Sequence, residues 1–133
     1  MLGKKEFNIP VTVGIHDEED NPIKQLYNGY VLLVSSMFKL TPKQATILAE
    51  LLFQNYMLLD RVQDEKLRWN VIMDSDNRRH MMERIKVGRQ TFLNSITELR
   101  KKDILKGNRV IPNLIVYPEN GLLQIHFNFK VEK

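Results

Sequence analysis

The chain has 133 residues, 43% of them apolar and 27% charged, with a formal net charge of +4 and no cysteine. That balance fits one globular domain, not a disordered or fibrous chain, and excludes disulfides, thiolate metal sites and cysteine nucleophiles. Apolar runs such as VLLV at 31–34 and YMLL at 56–59 fall far short of the roughly 20 residues of a membrane span.

The start, MLGKKEFNIP, has two lysines but no apolar stretch behind them, so no secretory leader is expected and a cytoplasmic location is. Residues 1–22 read as an extended arm. Phe7, Ile9, Val11, Val13 and Ile15 alternate with other residues as in a strand, and Pro10 confines that strand to an edge or to addition onto another sheet. HDEEDNP at 16–22 follows as an acidic turn. Its four carboxylates lack the ligand spacing of a calcium loop and read as solvated.

Ile23, Leu26, Tyr30, Leu33, Val34 and Met37 recur at spacings of three and four, one apolar stripe of a helix over 23–38. Thr41-Pro42-Lys43-Gln44 then supplies a helix start. Thr sits at the N-cap, Pro at the first helical position and Gln where its amide reaches back to the cap. The helix runs to about Leu59 with Ala45, Leu48, Leu52, Tyr56 and Leu59 on one face, widened by Ile47, Leu51 and Leu58, as a central core helix would be. In 60–75, Leu67, Trp69, Val71 and Ile72 are expected to plug the core, Trp69 as packing instead of a stacking platform.

Charge is unevenly placed. Residues 78–109 hold ten Lys and Arg against three acids, whereas 1–77 hold eight against eleven. A confined basic segment is the footprint of a polyanion-binding surface, and equally that of a solvated helix face. Within it, Asp76 is expected to cap a helix over 78–86 with Met81, Met82 and Ile85 inward, and Val87-Gly88 to form a tight corner using the conformational freedom of glycine. A second helix over 89–102 buries Phe92, Ile96 and Leu99 and leaves Arg89, Gln90, Thr91, Asn94 and Thr97 outside. Asp103 falls where a left-handed backbone is needed. Arg109–Val116 and Leu122–Val131 then read as a hairpin about Pro118-Glu119-Asn120-Gly121, its second strand turning Leu123, Ile125, Phe127, Phe129 and Val131 to one side.

Short helix, tight turn, longer helix and hairpin resemble the winged helix-turn-helix family, most closely the small regulators and replication-initiation modules of bacteria, plasmids and phages. The resemblance rests on MERIKVGRQTFLNSITELRKKDIL and the hairpin after it. Ile85 and Val87 match the apolar positions of helix end and turn, and Phe92, Ile96 and Leu99 those of the second helix. The implied fold is α+β: an arm at 1–22, then a winged-helix domain at 23–133 with its helix-turn-helix at 78–102 and its wing hairpin at 109–131. The implied partner is double-stranded DNA, with helix 89–102 in the major groove. The positions carried over for base reading are Arg89, Gln90, Thr91, Asn94 and Thr97; Arg suits guanine, and Gln or Asn suits adenine. Those carried over for phosphates are Arg78, Arg79, Lys86, Arg100, Lys101, Lys102, Lys106 and Arg109.

Three positions depart from the pattern: Gly88 where a capping Ser or Thr is usual, Leu93 on the exposed face, and Glu119 at the wing tip. They support an alternative, a phage virion or assembly protein that uses the same core for protein contacts. In it the arm joins a second copy or another protein by strand addition, and the location becomes the virion. Catalysis is not expected. His16, His80 and His126 are scattered, and no metal-spaced pair, phosphate loop or nucleophile arrangement occurs, so neither cofactor nor metal is implied.

Overall fold

The computed structural model describes residues 4–13 and 21–132, and of 4–13 and 125–132 the backbone alone. The acidic turn at 16–20 and His16 lie outside the described residues. The architecture is α+β and mostly helical: β1 (Lys4–Val13), α1 (Pro22–Phe38), α2 (Pro42–Leu58), α3 (Glu65–Ile72), α4 (Ser75–Ile85), α5 (Arg89–Lys101), β2 (Leu105–Lys106), β3 (Arg109–Val110) and β4 (Leu123–Glu132).

α2 is the axis of the core. The Gln44 N–H donates to Thr41 Oγ1 at 3.2 Å, and the Thr41 N–H to Gln44 Oε1 at 3.1 Å, so the cap is reciprocal as the sequence foretells. Ile47, Leu48, Ala49, Leu51 and Leu52 are all buried. α1 packs beside it through Leu26, Tyr27, Tyr30, Val31 and Val34. Met37 is not part of that stripe: it is 58% exposed, one turn past the last buried residue, where the helix ends at a left-handed Lys39.

α3 starts at Asp64, whose carboxylate accepts from the Leu67 N–H at 2.8 Å. Trp69 and Ile72 enter the core, but Leu67 and Val71 are exposed. The inward face is shared instead by Arg68. Its Nε donates to Asn55 Oδ1 at 2.7 Å and its Nη1 to the Val62 carbonyl at 2.9 Å. A buried guanidinium is tolerable when its donors are satisfied in this way.

Buried charge also ties α1, α2 and α4 together. Glu50 is 1% exposed, yet accepts from Lys24 Nζ at 3.1 Å and from Arg84 Nη2 at 2.8 Å. Burial lowers the Lys24 ammonium pKa, against the upward pull of the Glu50 carboxylate.

The C-terminal strands differ most from expectation. The 109–131 hairpin does not form. β4 instead pairs antiparallel with β1 over ten residue pairs, from Lys4 opposite Glu132 to Val13 opposite Leu123, so the arm and the last strand make one ribbon. The Asn120-Gly121 turn is present, with φ of 52° and 76° and reciprocal Glu119–Leu122 backbone bonds, but it closes only a single bridge. The chain before it cannot pair. Pro112 and Pro118 lack donors, 112–114 coils into a 3-10 turn, and α1 holds the rest down. Tyr27 donates its hydroxyl to the Val116 carbonyl at 2.7 Å and Tyr30 to that of Leu114 at 2.8 Å. Burial raises the pKa of both hydroxyls, that of Tyr30 to about 12. Directly after α5 the chain forms a far smaller hairpin, β2–β3, turning at Gly107-Asn108.

Of the expected core, Leu48, Leu52, Phe92, Ile96 and Leu99 are buried and Ile85 is half-buried; the side chains of Phe127 and Phe129 lie outside what is described.

Candidate nucleic-acid interface

α4 and α5 meet at a corner built differently from the one foreseen. α4 begins one turn earlier, capped by Asp74, whose carboxylate accepts from the Asp76 N–H at 3.3 Å. The left-handed residue of the corner is Lys86, with φ of 57°, and the Val87 N–H closes the turn on the Met82 carbonyl at 3.0 Å. Gly88 is extended, with φ of −72°, and a side chain there would meet nothing within 4 Å. Neither backbone geometry nor packing inside the chain calls for glycine at 88. The first turn of α5 therefore has no side-chain cap. At the far end, Asp103 does adopt the left-handed backbone, with φ of 60°.

Phe92, Ser95, Ile96 and Leu99 turn α5 onto the core, and Met81 and Val87 pack from the α4 side; Met82 is only half-buried. The opposite face carries Gln90, Asn94, Thr97 and Lys101, all exposed, with Arg89 and Arg100 along its α4 side. Gln90 Nε2 donates to Asn94 Oδ1 at 2.9 Å, so the two amides form one unit. Thr97 donates its hydroxyl to the Leu93 carbonyl at 3.1 Å. Thr91 is exposed but stands on the Glu98 side of the helix, seven residues below that acid and away from Arg89. Leu93 is half-buried against the core and not fully on the outer face.

The basic residues fall into two groups at the two ends of α5, a helix about 20 Å long. Arg78, Arg79, Lys86 and Arg89 line a cleft of about 520 Å³ between α4 and α5, floored by Met82, Val87, Phe92 and Leu93 and holding one acid, Glu83. Arg78 Nε is buried and finds no acceptor among the described residues. Arg79 reaches Asp76 at 3.4 Å on the open surface. At the other end, Arg100 Nε donates to the Gly107 carbonyl at 3.1 Å, fixing the β2–β3 turn beside the helix, with Lys106 and Arg109 on that turn. Arg109 also pairs with Glu65 at 3.2 Å, and Lys101 with Glu98 at 3.4 Å. Lys102 serves the fold: its ammonium donates to the Phe38 and Lys39 carbonyls at 3.0 Å each, closing the end of α1.

Sequence reasoning missed Glu50, Arg84 and Arg68 as structural charges. The available signal was a lone Glu inside the apolar run of α2.

Among the described residues no group of three or more His, Asp or Glu side chains is placed to hold a metal ion, and no helix is long and apolar enough to cross a membrane. No family model, curated protein or solved structure matches the chain.

Proposed function

We propose that the protein is a winged-helix DNA-binding protein that serves transcription regulation or replication in a bacterium or a mobile element, with α5 seated in the major groove. The observation that carries this reading is the outer face of α5. Its Gln90–Asn94 amide pair, Arg89 and Thr97 stand exposed between two basic ends, on a helix held to the core by Phe92, Ile96 and Leu99. Amide and guanidinium groups are the side chains that read base edges in pairs of hydrogen bonds, and cations at both ends suit the two phosphate backbones flanking a groove about 12 Å wide. Lys106 and Arg109 on the β2–β3 turn take the place in this scheme that the longer hairpin was expected to fill.

The test is electrophoretic mobility of random duplex DNA over a salt series. Binding that weakens steeply as salt rises is expected, because each phosphate contact releases counterions. No shift even at low salt would contradict the proposal.

The β1–β4 ribbon favours a second reading, protein–protein assembly. Its register sets Phe7 opposite Phe129, Ile9 opposite Phe127 and Val11 opposite Ile125, which places the apolar positions of both strands on one face. Such a ribbon suits strand addition or contact with a second copy, as a virion or assembly component would use it.

A further inference from the structure

We infer that Leu93 is a specificity residue that recognises the C5-methyl group of a thymine beside the base read by the Gln90–Asn94 pair. This rests on the reading of α5 as a groove helix and adds to it a preference that polar side chains do not explain. Leu93 lies in a polar neighbourhood: Arg89, Gln90, Asn94 and Thr97, its near neighbours on the helix surface, are all exposed. It is itself half-buried, resting on the core and forming part of the cleft wall with Met82 and Phe92. Its inner side is fixed by packing while its outer side faces the same space as Arg89.

In the major groove the thymine methyl is the apolar group that base pairs present, and an aliphatic side chain is its natural contact. Asn94 directly follows Leu93 and Gln90 lies three residues before it; the two amides are bonded to each other at 2.9 Å, and an amide side chain is the group suited to adenine. Adenine's partner shows its methyl on the same groove edge. A leucine beside an amide pair therefore matches an A·T-containing step better than a G·C-only one.

The experiment uses the full chain and a duplex site selected from a random pool, resynthesised with deoxyuridine replacing one thymidine at a time. That exchange removes one methyl and leaves every hydrogen-bonding group in place. We expect one position to lose about fourfold in affinity, the value of roughly one buried methyl, and Leu93→Ala to bind the two duplexes alike. Because the wild-type titration alone can refute the inference, a folding defect in Leu93→Ala would not protect it. Unchanged affinity at every deoxyuridine position, with selective binding retained, would overturn the role of Leu93 and leave DNA binding standing. Failure to select any duplex would overturn both.

Discussion

Two sets of cations in this molecule are used in opposite ways. Arg68, Arg84 and Lys102 each meet protein acceptors: Asn55 and two carbonyls of the α2–α3 connection, the buried Glu50, and the last carbonyls of α1. Around the outer face of α5, Lys86 and Arg89 have no ion-pair partner among the described residues, and the Arg78 Nε finds no acceptor there. Charge of one sign and similar side chains thus build the fold in one place and stand without such partners in another, the surface that the proposed function uses. Counting basic residues in 78–109 could not separate these uses; only the position of their partners does.

This contrast is best broken from the inside first. Phe92 is 1% exposed and anchors α5. Phe92→Ala is expected to cost about 3–5 kcal/mol of unfolding free energy, measured by denaturant titration; a cost under about 1 kcal/mol would mean that α5 is not held on this face. Glu50→Ala should come next, at about 3 kcal/mol, because it strands the half-buried Lys24 ammonium and frees Arg84. Glu50→Gln, which keeps the size but loses the charge, should recover only part of that in the same titration.

The smallest effect expected sharpens the outer side. Gly88 has room for a side chain and a backbone already suited to an N-cap. Gly88→Ser should therefore raise stability by a few tenths of a kcal/mol. A loss on thermal melting would contradict this and show a constraint at the corner.

What was legible in the sequence was local. The Thr41 capping box, the inward face of α5 and the left-handed Asp103 depend on residues within a turn or two of each other, and the structure has all three. The pairing of β4 was not legible. Asn120-Gly121 pointed to a neighbour strand, but the partner that matches over ten pairs begins at Lys4, more than a hundred residues away. The corner misled for a related reason: Gly88 is the residue that usually takes a left-handed turn, yet Lys86 takes it, because α4 ends in a backbone bond from Val87 to Met82. Glu50 was visible as an anomaly in α2, but its partners lie 26 and 34 residues away on other helices. On the site, helix period separated the outer from the inner face of α5 but placed Leu93 on the exposed face, whereas it straddles the boundary, half-buried. The core packing that half-covers it is a tertiary contact.

Whether the outer face of α5 reads DNA, as proposed, is decided by one comparison. Wild type, Arg89→Ala/Asn94→Ala and Lys101→Ala are titrated against a selected duplex and a random one at two salt concentrations, with melting curves to confirm that each is folded. On the proposed reading the double variant should lose about 1–3 kcal/mol for each residue, on the selected duplex alone. Lys101→Ala should weaken both duplexes alike and lower the salt slope by about one. If the double variant binds the selected duplex as tightly as wild type, α5 is not a recognition helix and the assembly reading takes its place.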